Sequence, residues 1–216
     1  LRQCFLAGLA ALVIIISFAP ANWPLQAMIG SFLCAYLSCL GASLFHYGTR
    51  HDMYARKTDD PVTVHTPLLL VQLGSLAFVG SIGIAAFMLT TSSYLLALLN
   101  FAAIILYGMA LDRIWPFKNI IAALVCISPI AIGGTALCVP AAYLTPFLAA
   151  AFFIYLPREI IKDIQDIKAN QGLRFTLVMY FGEGKTLTIA GLLLCGGVAA
   201  LLWSFFTLHT YVWPAI

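Results

Sequence analysis

The densest group of charged side chains in this sequence is the segment REIIKDIQDIKAN, residues 158 to 170. Four oxygen-bearing side chains within it follow one another at spacings of four, three and four residues: Glu159, Asp163, Asp166 and Asn170. Residues at these spacings share one face of a helix. Carboxylate and amide oxygens suit Mg²⁺, which typically links one or two carboxylates to phosphate oxygens. The segment is therefore a candidate site for a divalent cation and a phosphate-bearing ligand.

Two bases in the same segment would suit the same ligand. Arg158 and Lys162 lie on the adjacent face of the predicted helix, where they could contact phosphate oxygens. A structural explanation stays open, namely a solvated helix beside the membrane with ion pairs along its own length. Spacing alone favours that explanation, although carboxylates clustered near a bilayer are costly unless paired or metal-bound.

The composition of the chain indicates an integral membrane protein. Of its 216 residues, 62% are hydrophobic and only 9% are charged, with a mean hydropathy of +1.00. Soluble domains carry roughly 25% charged residues. Apolar runs such as LLALLNFAAIILYGMAL are too continuous for the alternating strands of a membrane barrel. We therefore predict an all-α fold, a polytopic bundle of transmembrane helices.

The apolar runs predict seven spans. These lie near residues 4–20, 25–48, 66–89, 93–112, 118–136, 140–157 and 187–207. The first run also has features of a signal peptide, with a basic residue before an apolar stretch. We favour a retained first helix, because APANWPLQ is typical of a tight turn into the next run.

The charged residues are segregated between the connections. Apart from Arg2, all of them fall in three connections, which begin near residues 50, 111 and 158, and the other connections carry no formal charge. Alternating spans place these three connections and the N-terminus on one side of the membrane, which the distribution of Lys and Arg predicts to be cytoplasmic. The net charge of +3 is accompanied by no basic stripe and gives no support to nucleic-acid binding.

The charged segment resembles the second aspartate-rich motif of the UbiA-type intramembrane prenyltransferases, D-x-x-D-x-x-x-D. Asp163, Asp166 and Asn170 match its three acid positions, the last as an amide. The resemblance is closest to the members that prenylate glycerol-phosphate lipids. The segment GLRFTLVMYFGEGKTLTIAGLLL resembles the family sequence that follows this motif.

A second stretch, YGMALDRIWPFKN, resembles the family loop between the fourth and fifth helices. The resemblance implies a helical bundle around a lipid-accessible cavity, with Mg²⁺ holding an isoprenyl diphosphate. By this analogy Asp163, Asp166 and Asn170 would bind the metal. The diphosphate would be bound by four further residues: Arg158, Lys162, Arg113 and Tyr107. The implied partners are membrane lipids and an isoprenoid, quinone or pigment tail.

The sequence departs from the family at the first aspartate-rich motif, N-D-x-x-D-x-x-x-D. An ungapped alignment that is fixed at Asp60 to Val62 puts Phe45 at the Asn position. The three acid positions then hold His46, Thr49 and Met53, so none keeps a carboxylate. The family usually has about nine spans, so we expect residues 1–216 to form one UbiA-like domain without the last two helices.

Two functions remain open on this basis. In the first, the protein is a catalytically degenerate relative that binds an isoprenoid in its cavity, and it could be a subunit of a larger membrane complex. In the second, it is an active Mg²⁺-dependent prenyltransferase that acts on a lipid or aromatic acceptor. A transporter is disfavoured because no charged residue falls in the middle of a span, where transport sites commonly need one.

Overall fold

A computed structural model of the chain describes residues 2–18, 25–49, 67–109, 114, 116–167 and 175–212. Within these residues the secondary structure consists of helices, with no strand. There are seven long helices: α1 Arg2–Phe18, α2 Leu25–Thr49, α3 Pro67–Met88, α4 Thr91–Met109, α5 Phe117–Ala136, α6 Ala141–Gln165 and α7 Leu177–Val212. The all-α prediction is confirmed.

Six of the helices in the described residues are long and apolar enough to cross a bilayer. The exception, α1, has 17 residues, at the lower end of the length that spans hydrocarbon. An apolar exterior fits this setting. For example, Phe87 is 88% exposed and Leu192 is 69% exposed, as expected for side chains that face lipid. These features support an integral, multi-pass membrane protein.

Hydropathy locates only the apolar parts of α6 and α7. The sixth predicted span ends at residue 157, and α6 continues as a helix through the first part of the charged segment to Gln165, in agreement with the helical spacing of its acidic residues. Helix α7 begins at Leu177, before the predicted start at residue 187, and Gly182 interrupts it with φ 73° and ψ 168°.

Helices α2 and α5 form the middle of the bundle. Helix α2 packs against α1, α3, α4 and α5, while α5 packs against α1, α2, α4 and α6. Helix α7 packs on α6. Small residues allow helix backbones to approach closely in membranes. A Cβ added to Gly133 of α5 would lie 2.5 Å from the carbonyl oxygen of Ala11 in α1.

Hydroxyl groups add polar contacts between the same helices. The Ser38 and Ser81 hydroxyls are 2.7 Å apart, and Ser81 also donates to the Cys34 carbonyl at 2.9 Å. These contacts join α2 to α3 within the apolar part of the bundle. They satisfy buried polar atoms that lipid could not hydrogen-bond.

Candidate functional site

The beginning of α5 and the end of α6 meet through three buried polar side chains. The Lys118 ammonium forms an ion pair with Oδ1 of Asp163. Asn119 donates through Nδ2 to Oδ2 of the same carboxylate at 3.1 Å. The side chains of Lys118 and Asp163 are only 6% and 4% exposed. Both oxygens of Asp163 are therefore held by α5.

The burial of this pair explains why its members depend on each other. A charge removed from water without a partner costs several kcal/mol, so Lys118 and Asp163 are tolerated here because each neutralises the other. The Oδ1 atom of Asn119 is also buried, and no hydrogen-bond donor reaches it among the described residues. The amide thus turns its donor side toward Asp163.

A second charged group lies one turn earlier on α6. The guanidinium of Arg158 donates to Oε1 of Glu159 at 2.7 Å, and the Lys162 ammonium is 3.9 Å from Oε2. The side chain of Glu159 is 11% exposed, whereas both bases are 56% exposed. The carboxylate is therefore held by two bases of its own helix, which remain accessible to water or lipid head groups.

The predicted acidic stripe is only partly helical in the described residues. Glu159 and Asp163 are both buried on consecutive turns of α6. Asp166 lies at the C-cap, where its backbone N–H donates to the Lys162 carbonyl at 2.9 Å. Asn170 and Arg113 lie outside the described residues. The roles predicted for all of these residues in metal or diphosphate binding stay predictions.

The positions that correspond to the family's first aspartate motif are used for packing on α2. The Phe45 ring packs against α4 at Gly108, because a Cβ added to Gly108 would lie 3.3 Å from a carbon of that ring. His46 packs against Tyr107, with ring centroids 5.6 Å apart and planes inclined by 47°. The Thr49 hydroxyl donates to the Phe45 carbonyl at 2.9 Å. Met53 lies outside the described residues.

The described residues do not form a donor set that fits Mg²⁺. They contain no group of three or more His, Cys, Asp or Glu side chains that could hold a metal ion. Mg²⁺ requires near-octahedral oxygen ligands at about 2.0–2.1 Å. The carboxylate closest to such a role, Asp163, already accepts from an ammonium and an amide.

An apolar cavity of about 280 Å³ lies further along α6, away from its charged end. Its walls come from four helices, with these lining residues: Ile14 of α1, Ile130 of α5, Phe147, Ala150, Ala151, Ile154 and Tyr155 of α6, and Leu201 of α7. The volume lies near the lower end of ligand pockets, at roughly 300–1,000 Å³. The cavity therefore suits part of an apolar chain.

One row of α6 connects the cavity to the charged end. Tyr155, Glu159 and Asp163 follow at intervals of four residues and thus lie on one side of the helix. Eight residues, each rising about 1.5 Å, separate Tyr155 from Asp163 by about 12 Å along the axis. The charged end of α6 and the apolar cavity are thus about as far apart as the head group of a lipid and the beginning of its tail.

The site residue that the sequence analysis missed is Lys118. A lysine near a helix start is ordinarily a solvated charge, and nothing in the local pattern distinguishes it. The prediction for YGMALDRIWPFKN rested on other positions. Only the contact between α5 and α6 shows that Lys118 is buried against Asp163, 45 residues away.

The chain is similar to known proteins both in sequence and in structure. No protein-family model matches the chain. Digeranylgeranylglyceryl phosphate synthase from Methanoculleus marisnigri is 33% identical over 130 residues, which are 59% of this chain and 46% of that protein. The matched part thus spans about half the length of this curated relative.

The structural relative is a solved structure from work on digeranylgeranylglyceryl phosphate synthase in membranes. It aligns with a TM-score of 0.76 over 92% of this chain and 72% of its own, at 15% identity. At this identity the likeness shows a shared fold. It covers more of the chain than the sequence match does, and both comparisons agree with the resemblance that the charged segment predicted.

Proposed function

We propose that this chain is a UbiA-type membrane protein, which its fold and its sequence similarity support, and that it binds an isoprenoid chain without transferring it. The tail would enter the cavity beside Ala151 and Tyr155. Its head group would lie toward the end of α6, near Arg158 and Lys162. The ligand class includes an isoprenyl diphosphate as well as a quinone or pigment with an isoprenoid tail.

The observation that carries this proposal is the row on α6 that joins the apolar cavity to the charged end. An isoprenoid with a polar head needs an apolar space and polar contacts at a fixed separation. The row begins at the cavity with Tyr155 and ends beside Arg158 and Lys162, whose side chains are 56% exposed. Four helices line the cavity, so ligand binding would also stabilise contacts between them. The similarity to a synthase of prenylated glycerol-phosphate lipids agrees with this ligand class.

The absence of turnover is proposed from the state of the acidic positions. Prenyl transfer needs stabilisation of the departing diphosphate, which metal ions and basic side chains ordinarily supply. Phe45, His46 and Thr49 take the place of the first motif and pack within the bundle. In the second motif, Asp163 is paired with Lys118. We therefore assign no step of the proposed function to a metal.

We also propose that the charged end of the bundle faces the cytoplasm. Lys118, Arg158 and Lys162 lie where the beginning of α5 meets the end of α6. Lysine and arginine favour the cytoplasmic side of membrane proteins. The apolar exterior of the bundle would also allow other membrane subunits to pack against it.

One experiment separates binding from catalysis. Purified protein in lipid nanodiscs is incubated with Mg²⁺, labelled geranylgeranyl diphosphate and lipid acceptors, and both pyrophosphate release and retained label are measured. We expect retained isoprenoid with no release of pyrophosphate above a protein-free control. Turnover that is lost in Asp163→Ala would contradict the proposal and support the active prenyltransferase.

The same preparation tests for a complex. Native mass spectrometry of the protein extracted under mild conditions would show retained isoprenoid and any membrane subunits. Retention of the ligand by the isolated chain would support a binding site within it. Absence of isoprenoid from both the extracted and the reloaded protein would contradict the proposal.

A further inference from the structure

We infer that the Lys118 ammonium is a built-in counter-ion of Asp163 that takes the place of a divalent cation. The second-motif carboxylate is thereby closed to metal. A second consequence rests on the proposed function: the isoprenoid is bound without a metal.

The first argument is the geometry at the carboxylate. Lys118 contacts Oδ1 of Asp163, and Asn119 donates to Oδ2 at 3.1 Å. A magnesium ion at about 2.0–2.1 Å from either oxygen would have to share that oxygen with the ammonium or with the amide. A dication beside Oδ1 would also repel the ammonium, and burial strengthens that repulsion.

The second argument is the burial of the cation itself. Lysine is almost never fully buried unless it is paired. The side chain of Lys118 is only 6% exposed. Its position at the beginning of α5 is fixed by the helix, with the backbone N–H of Lys118 donating to the Ile114 carbonyl at 3.1 Å. Lys118 is therefore a resident cation rather than a mobile surface charge.

The third argument is the balance of the neighbouring charges on α6. Glu159, the other buried carboxylate of this helix, is held by Arg158 and Lys162. Asp166 lies at the helix end and is only partly buried. Each buried carboxylate of α6 therefore has a base beside it, Lys118 for Asp163 and the pair Arg158 and Lys162 for Glu159.

The consequence for a variant is specific. Lys118→Met keeps the length of the side chain and removes its charge. Asp163 would then be a buried carboxylate without a counter-ion, and a divalent cation could supply one. We expect Lys118→Met to bind Mn²⁺ at least tenfold more tightly than the unmodified protein. This gain should disappear in the double variant that also carries Asp163→Asn.

The test is a titration of the purified chain in nanodiscs with Mn²⁺, followed by electron paramagnetic resonance of the free ion. The matched control is Lys185→Met, which removes an exposed lysine of α7. We expect no saturable, Asp163-dependent Mn²⁺ binding in the unmodified protein or in the control. Stoichiometric binding to the unmodified protein that is lost in Asp163→Asn would overturn the inference, even if Lys118→Met does not fold.

A second measurement keeps this inference distinct from the proposed function. Retention of labelled geranylgeranyl diphosphate is compared in EDTA and in Mg²⁺. Equal retention supports the inference. Retention that requires Mg²⁺ overturns it and leaves isoprenoid binding intact. Absence of retention under both conditions contradicts the proposed function, and the Mn²⁺ titration still decides whether Lys118 closes Asp163 to metal.

Discussion

At the scale of single residues, the decisive feature is the ion pair between Lys118 and Asp163, a carboxylate that belongs to a recognisable motif. Asp163 matches an acid position of the UbiA-type motif, and its oxygens are engaged by Lys118 and Asn119. A motif residue can thus be present in the sequence and already be committed to a contact within the protein. Its chemistry depends on a neighbour that the motif does not include.

The ion pair predicts a large and one-sided effect on stability. Asp163→Asn preserves the size of the side chain and removes the negative charge that pairs with the buried ammonium of Lys118. Breaking a buried pair in this way costs about 3–5 kcal/mol. We expect a loss of this size in the free energy of unfolding, measured by denaturant titration in mixed micelles.

Lys162→Gln is the control for this prediction. The side chain of Lys162 is 56% exposed. Substitutions at exposed positions usually change the free energy of unfolding by less than about 0.5 kcal/mol. Equal stability of Asp163→Asn and Lys162→Gln would contradict the buried pair.

At the scale of helices, close approach and backbone freedom decide how α5 and α7 are placed. Helix α5 lies against α1 where Gly133 meets the Ala11 carbonyl. Helix α7 turns at Gly182, and Leu177 before that turn is buried against Ile160 of α6. Gly133 therefore sets the spacing of two helices that line the cavity, and Gly182 sets the direction of the segment beside the charged end.

The contact at Gly133 predicts that an added methyl group is not tolerated. In Gly133→Ala the new Cβ would lie 2.5 Å from a backbone oxygen, so α1 and α5 must separate. Overpacking of this kind typically costs about 1–3 kcal/mol. Thermal unfolding in detergent should therefore occur at a lower temperature than in the unmodified protein.

Gly191→Ala is the matched control for the same chemical change. No atom lies within 4 Å of a Cβ added at Gly191. Alanine is favoured over glycine in a helix by up to about 1 kcal/mol, so this variant should be as stable as the unmodified protein or slightly more stable. A similar loss in both variants would show that the approach of α1 and α5 is not the cause.

The turn in α7 gives a separate prediction. Gly182 has φ 73° and ψ 168°. This region of backbone conformation is essentially restricted to glycine. We expect Gly182→Ala to lose about 1–3 kcal/mol of stability because alanine is strained in this conformation. Gly184→Ala, two residues later in open space, should show no such loss by the same unfolding measurement.

At the scale of the whole molecule, the helices pack so that an apolar cavity and a charged end both lie along α6. The cavity is formed by α1, α5, α6 and α7, whereas the charged end is formed by α5 and α6. Neither feature belongs to a single helix. The proposed binding of an isoprenoid therefore depends on the packing of the bundle as a unit.

Filling the cavity should weaken isoprenoid binding. Ala151→Phe places a large side chain in the cavity, where the tail would lie. We expect retention of labelled isoprenoid to fall about tenfold or more, equivalent to about 1.4 kcal/mol or more of binding free energy. Binding would be measured by scintillation counting of nanodisc-bound label.

The control for this prediction is Ala199→Phe, which adds the same group at an exposed position of α7. It should leave retention unchanged, since a ring at this position would face outward. Unchanged retention in Ala151→Phe would show that the isoprenoid does not occupy this cavity.

The sequence by itself determined the fold class and the number of helices in the described residues, and it showed a resemblance to the UbiA-type prenyltransferases with which the similarity to the synthase agrees. These properties follow from local signals, because apolar runs of sufficient length must be helical in lipid and a motif is a pattern along the chain. Hydropathy by itself determined the ends of the polar helix turns less well, as shown by α6 and by the beginning of α7. Their charged turns remain helical after hydropathy has fallen.

Only the tertiary structure decided which polar groups meet. Lys118 and Asp163 are 45 residues apart, and neither the spacing of the acidic residues nor the pattern around Lys118 relates one to the other. The cavity likewise requires Ile14 and Leu201 to face the same side of α6. Such contacts depend on how helices pack around one another. In a poorly hydrated interior, that packing determines whether a carboxylate is neutralised by a lysine or is available to a metal.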